Sequence, residues 1–516
     1  LIKLNMQKKI GLFLGPIIFL FVLLFGSFEG LSPQGQAVLA TTFWIAIWWI
    51  TEAVPIAATA LLPIVLFPLT GGMELTTTTA AFGHKYVFLY LGGFLIAIGI
   101  EKWNLHRRIA LNIIAFIGSD IRKVIIGFMI ATAFLSMWIS NTATSVMILP
   151  IGIAIIKQLK DNPATEEDEN KIFGKALMLG IAYSASIGGI ATLIGTPPNL
   201  VLAGVISETY GYEINFLQWF LFGFPISITL LFFCWIYLTR YAFSFKQTEF
   251  PGGLEEIRRL KKELGPVSYE ERWVGLVFML AAFSWISRSF ILQPILPALD
   301  DTIIAITFGL LLFVLPTKKG GEAIISWKDT VKLPWGIIIL FGGGMALAKA
   351  FEVSGLAIWL GQLMTTFGGL PLILLLFVLV TAVNFLTEIT SNLATTAMLL
   401  PVLAPLAFEV GVHPFGLMVA AAVAASCAYM YPVATLTIDT SLIEIVVDSV
   451  LINASFKINK NFLTIVPESK INNYKMTLLP NSITGIKEAK KDTSIVNFNI
   501  SNFPTQCLKF SAVTSY

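Results

Sequence analysis

The sequence predicts an all-α polytopic membrane protein built from two related halves, and three observations carry that expectation. The chain has 516 residues, 56% of them hydrophobic and 13% charged, with mean hydropathy +0.81. A soluble domain carries roughly a quarter charged residues. The apolar residues fall in charge-free blocks such as Gly11–Phe28, Phe216–Leu238 and Gly369–Thr387, close to the ~20 residues a spanning helix needs. Finally, Ser140–Pro150 (SNTATSVMILP) recurs as Ser391–Pro401 (SNLATTAMLLP), identical at seven positions.

The first block is expected to be retained as a span rather than cleaved, because no small-residue cleavage site follows it and further apolar blocks continue. Lys3, Lys8 and Lys9 precede it and favour a cytoplasmic N-terminus. A net charge of +3 is too small to suggest nucleic acid as a partner. Three cysteines and three histidines lie far apart, with no spacing for a metal centre or a disulfide framework. No nucleophile–base constellation is visible, so an enzyme is not expected.

Charge then divides the chain. Glu101–Lys123 mixes basic and apolar residues and reads as an interfacial amphipathic segment; Lys157–Lys175 reads as a polar loop. Residues 1–239 form a first membrane half, 240–272 a cytosolic linker, 273–435 a second, incomplete half, and 436–516 a polar tail.

The repeated motif has an unusual setting. No charge lies between Lys123 and Lys157, yet Ser140-Asn141-Thr142 sits in the middle. Its apolar arms would reach only ~21–24 Å as helices, against a hydrocarbon core of ~30 Å. Two short helices meeting at a polar tip, a re-entrant hairpin, fit better than two crossings; one long kinked span is the alternative. At such a tip, the N-terminus of the second helix suits a carboxylate. The carbonyls ending the first helix, with Ser and Asn oxygens, suit a hard cation such as sodium. Simple helix capping by Ser-Asn-Thr is the competing reading. Paired motifs in two halves point to a repeat-built transporter with its site near the midplane.

Gly195-Thr196-Pro197-Pro198-Asn199 follows a stretch rich in Ser, Gly and Ala. Two prolines remove two donors and break a helix, so an unwound transmembrane segment is expected, with a ligand-free kink as the alternative. Glu52 and Glu388 lie within apolar surroundings and read either as proton relays or as structural partners.

At these motifs the chain resembles the divalent anion/sodium symporter family, carriers of succinate, malate, fumarate, citrate or sulfate. The resemblance covers most of Gly11–Thr435, including Trp49–Pro55, Met137–Thr142, Gly195–Asn199, Glu263–Pro266 and Thr387–Asn392. It implies two inverted repeats, each with a re-entrant helical hairpin and an unwound helix, in a homodimer that works as an elevator in the plasma membrane. It implies sodium as the co-transported ion and a C4-dicarboxylate as substrate. By motif position, Ser136, Ser140, Asn141 and the Gly195 carbonyl would form a first sodium site. Thr387, Thr390, Asn392 and the Ala434 carbonyl would form a second, and Asn141, Thr142, Thr196 and Asn392 would contact substrate.

Two departures stand out. Leu393 replaces a threonine in the second tip, and Leu436-Thr437-Ile438-Asp439 replaces the second Pro-Pro element. Beyond Thr435 the chain turns rich in Lys, Asn, Ser and Ile, and its best apolar stretch, Leu442–Ile452, carries Glu444 and Asp448. An out-of-frame tail would explain this abrupt change and would leave the copy inactive; a genuine soluble tail is the alternative.

Overall fold

The computed structural model describes residues 6–118, 120–156, 169–243, 245, 253–318, 320–363, 371–409 and 411–430, with tail segments 454–459, 462–467 and 496–499. The first half begins with α1 (Met6–Phe25), α2 (Pro33–Thr51), α3 (Ile56–Thr59), α4 (Leu62–Thr70), α5 (Leu75–Phe82), α6 (Lys85–Lys102) and α7 (Leu105–Ile117). It continues with α8 (Ile121–Ser136), α9 (Asn141–Ile156), α10 (Glu169–Ile190), α11 (Pro197–Tyr210) and α12 (Phe216–Ile236). After α13 (Gly253–Glu263), the second half holds α14 (Tyr269–Ser287), α15 (Gln293–Ile295), α16 (Asp301–Val314), α17 (Trp335–Val353) and α18 (Leu356–Leu363). It closes with α19 (Leu372–Thr387), α20 (Asn392–Glu409) and α21 (Pro414–Ala425).

The membrane body is all-α. Among the described residues, six helices are long and apolar enough to cross a bilayer, at Met6–Phe25, Leu75–Lys102, Lys171–Ile190, Phe216–Ala242, Tyr269–Ile295 and Trp335–Val353. Local chemistry fixes where helices start. Ser32 accepts from the Gly35 amide at 2.9 Å with Pro33 in the first turn, and Asp120 accepts from Arg122 at 2.9 Å. Asn215 with Gln218, and Ser268 with Glu271, form reciprocal capping boxes, each satisfying donors that a helix start leaves open.

The elements packed around the hairpins form two apolar cores. One gathers α7, α8, α9, α10, α12 and α13 around Phe128, Ile148 and Phe173. The larger joins α6, α11, α14, α16, α17, α20 and α21. Close approach depends on small residues. A Cβ on Gly92 of α6 would lie 2.5 Å from the Ala305 carbonyl carbon of α16, so only glycine lets these helices meet at this distance.

Helix α7 is the expected amphipathic element: it buries Ala110, Leu111 and Ile114. The linker does more than connect, because α13 packs against α7 and α9 and Ile257 is fully buried. Glu52 ends α2 in a left-handed conformation and pairs with Lys8 at 3.6 Å, which fits an exposed structural partner. Of the loop expected at Lys157–Lys175, residues 157–168 lie outside the described residues, and Glu169–Lys175 are not loop but the first turns of α10, whose apolar continuation carries the helix back into this polar stretch. In the tail, β1 (Ala454–Asn459), β2 (Phe462–Pro467) and β3 (Val496–Asn499) form an antiparallel sheet in the order β1-β2-β3.

Candidate functional site

Each repeated motif folds as a helical hairpin. Helices α8 and α9 have 16 residues each, about 24 Å, so neither arm crosses the hydrocarbon alone. Ser136 closes the first arm and Asn141 opens the second. The Ser136 hydroxyl lies 2.6 Å from the Ala185 carbonyl and 2.8 Å from Asn141 Oδ1. The second hairpin repeats this with other residues. Thr387 Oγ1 lies 2.7 Å from Asn392 Oδ1 and 2.9 Å from the Ala425 carbonyl.

The chemistry of these two nests is alike. Each gathers three oxygens around a single hydroxyl proton, which can serve one acceptor at a time. The remaining lone pairs of these half-buried oxygens face one another with no further proton between them. A small hard cation satisfies such a set, and oxygen-only ligation is what hard cations favour.

The helix break expected at Gly195–Asn199 is present. Helix α10 stops at Ile190 and α11 starts at Pro197. The exposed carbonyls of the break are gathered by Asn199, whose Nδ2 donates to Thr192 at 2.8 Å, Gly189 at 3.1 Å and Ile190 at 3.4 Å. Trp219 Nε1 donates to Ile190 at 2.9 Å, and the Thr192 hydroxyl donates back to the Met137 carbonyl at the hairpin bend. A Cβ on Gly189 would lie 2.5 Å from Asn141 Oδ1 and 3.2 Å from both the Gly195 carbonyl and Thr196 Cβ. Asn141, Gly195 and Thr196 therefore border one glycine, and the tip and the break meet there.

The other expected residues are placed less uniformly. Ser140 caps α9, its Oγ accepting from the Ala143 amide at 3.3 Å, so part of the motif is capping, as the alternative reading held. Thr142 is exposed and Thr196 is buried without acting as a side-chain cap. Thr390 is engaged with the Leu386 carbonyl at 2.9 Å and with Thr395. Ala434 lies outside the described residues. Leu393 is buried in the larger core, 3% exposed, where the first tip presents exposed Thr142.

The two tips approach a common interior. Ile139, Leu193, Ile194, Leu393 and Ala397 share the larger core, and α11 packs on both α20 and α21. Tyr183 of α10 donates to the Tyr429 carbonyl at 3.1 Å, just past α21. There, buried Glu388 accepts from the Met430 amide at 2.8 Å and Asn384 donates to Cys427 at 3.1 Å. Glu388 thus ties the second bend to its following segment, much as the Met137–Thr192 bond does in the first.

Residues 6–438 match the family described as the sodium:sulfate symporter transmembrane region. The chain belongs to this family. It is similar to a sodium-dependent dicarboxylate transporter of Staphylococcus saprophyticus, 47% identical over 438 residues covering 84% of each protein. A Staphylococcus aureus (strain USA300) protein of the same description is 48% identical over 434 residues, 83% of this chain and 84% of the relative. As a symporter-family member with several membrane-length helices, the protein is a multi-pass membrane transporter and not an enzyme.

Sequence reasoning found the hairpins and the break but missed several parts of the site. The Ala185 and Ala425 carbonyls have no side-chain signature. Gly189 carries one only in hindsight, within Ser-Ile-Gly-Gly-Ile. Asn199 within Gly195–Asn199 and Trp138 within Met137–Thr142 gain their roles only from the fold. The Trp138 ring stacks on Phe216 at 5.9 Å and Trp285 at 6.2 Å, and meets Phe278 edge-on at 5.0 Å.

Proposed function

We propose that this protein is a sodium-coupled symporter of C4-dicarboxylates such as succinate, malate and fumarate, working as a homodimer in the plasma membrane by an elevator movement. The observation carrying this reading is the matched pair of oxygen nests, Ser136–Asn141–Ala185 and Thr387–Asn392–Ala425. Each is suited to one sodium ion. Ser140 and the Gly195 carbonyl would complete the first, and Thr390 and the Ala434 carbonyl the second. Substrate carboxylates would lie between them against Asn141, Thr142, Thr196 and Asn392.

No basic side chain belongs to the set, so bound sodium would offset substrate charge where the dielectric is low. The relatives described as sodium-dependent dicarboxylate transporters support both ion and substrate. The separate core around α7–α10, α12 and α13 supports a body able to move as a unit. The halves at 1–239 and 273–435 would be inverted repeats with the N-terminus cytoplasmic, joined through 240–272. The tail at 436–516 would not belong to the carrier fold; the family match reaches residue 438 and stops.

Purified protein in proteoliposomes tests the reading through uptake of labelled succinate with sodium or choline outside. Uptake dependent on sodium, and lost in Asn141→Ala and Asn392→Ala, is expected. Equal uptake in choline, or normal uptake in both variants, would overturn it. The family description favours one second reading, sulfate as substrate, and competition by excess sulfate tests that in the same vesicles. Sodium-independent exchange, citrate uptake and an inactive copy are the remaining outcomes that these measurements separate.

A further inference from the structure

A single site must open to each side of the membrane in turn, so the contacts fastening its elements to the rest of the protein must break and re-form each cycle. The structure shows where such contacts are polar. Helix α11 carries the site break at its N-terminal end. At its other end, residues 208–216 are held by polar and charged contacts to α6, α16 and α17 and to Arg288 just past α14. Glu213 pairs with Lys85 at 2.9 Å and with Arg288 at 2.8 Å. Glu208 pairs with Lys349 at 3.3 Å and lies 3.6 Å from His84 Nε2. The Phe216 amide donates to Asp301 at 2.8 Å, and Tyr86 donates to the Ile214 carbonyl at 3.2 Å. Elsewhere the contact of α11 with α17 is apolar, as where Gly204 meets Met345.

The charges are arranged so that Glu213 can leave without stranding its partners. Arg288, 6% exposed, also pairs with Asp301 at 3.0 Å and donates to the Leu299 carbonyl at 3.0 Å. Lys85 also pairs with Asp300 at 3.1 Å. Both cations thus keep a carboxylate on or next to α16, which avoids the cost of a buried unpaired charge. Glu213 is itself 37% exposed and would be met by water. A bond whose breaking orphans nothing is suited to repeated opening.

We propose that Glu213 is a reversible latch, holding the α11–α12 turn and the first site-bearing half in the conformation seen here by docking on the Lys85–Asp300 and Arg288–Asp301 pairs. The proposal rests on the carrier reading for its purpose but not for its test. Hydrogen exchange on the full-length protein compares the native chain with Glu213→Gln, and with Glu74→Gln at an exposed site as control. Amides at 208–216 are expected to exchange about tenfold faster in Glu213→Gln alone, the loss of charge-assisted bonds favouring local opening. Unchanged exchange there would overturn the latch, whether or not the protein moves succinate.

In a background lacking the native cysteines, Lys85→Cys with Glu213→Cys is then bridged by a short, reducible, thiol-reactive reagent. Sodium-driven uptake is expected to stop on bridging and return on reduction, with neither single cysteine affected. Continued uptake with the bridge in place, or failure of the two thiols to bridge, would equally refute it. Absence of uptake before bridging would count against the carrier reading, leaving the exchange result to decide the latch.

Discussion

Gly189→Ala tests whether hairpin tip and helix break form one site. The added Cβ would sit 2.5 Å from Asn141 Oδ1 and 3.2 Å from the Gly195 carbonyl and Thr196 Cβ, where ordinary contact begins near 3.4 Å. The side-chain oxygen is the softest of these neighbours. The cheapest relief turns the Asn141 amide off Ser136 and out of the oxygen nest, rather than moving two backbones. Overpacking of this kind costs about 1–3 kcal/mol. Expressed wholly as weaker cation binding, that is a factor of about 5–150. Sodium titration of succinate uptake should therefore show a half-saturating sodium concentration raised at least about fivefold, with little loss of thermal stability. Gly93→Ala is the control, because its Cβ would meet Ile194 Cδ1 at an ordinary 3.4 Å. A native sodium dependence in Gly189→Ala would refute the assignment of Asn141 Oδ1 to a cation site. Loss of stability without a sodium effect would reduce Gly189 to a packing residue.

Four further outcomes follow from the same structure. Ser136→Ala and Thr387→Val each remove one nest hydroxyl, and each should raise the sodium requirement by about tenfold, the worth of a bond near 1.4 kcal/mol; one response without the other would break the two-site symmetry. Asn199→Ala removes the side-chain donor to the Gly189 carbonyl and one of two donors to the Ile190 and Thr192 carbonyls and should lower stability by about 1–3 kcal/mol, read by denaturation in detergent. Arg288→Met leaves Asp301 buried and uncompensated and should cost about 3–5 kcal/mol, whereas Arg288→Met with Asp301→Leu should recover much of it; equal losses would show that the two charges are not coupled. At Asp329, burial opposes ionisation, but hydrogen bonds from Lys102 and Ser326 outweigh it and hold the carboxyl below its ordinary range. Its stabilisation is therefore complete above the unfolded value near pH 4 and is lost as pH falls through the lowered folded value. The gap between native and Asp329→Asn stability should close over that acid window, and a gap that persists below it would contradict the pairing.

The sequence by itself determined the solvent of this protein and pointed to the two tips as its candidate site. Charge-free blocks of spanning length leave no other environment in which the chain can bury its surface, and a polar tripeptide between arms too short to cross favours a chain that turns back over one long kinked span. Because each signal is local in the chain, the first hairpin was legible from its arm length, the second from the repeated motif, and the break at Gly195–Asn199 from proline chemistry. Tertiary structure decided what these tips touch. The Ala185 and Ala425 carbonyls complete the oxygen nests from 49 and 38 residues away, and a backbone oxygen carries no mark in sequence. Gly189 matters only because another helix end arrives beside it, and Leu393 faces the core rather than standing in for Thr142. Glu213, one acid in a short loop, acquires two partners, Lys85 of α6 and Arg288 just past α14, the farther 128 residues away. Such pairings arise when the chain closes on itself, since burial and charge complementarity act through space and leave no trace in residue order.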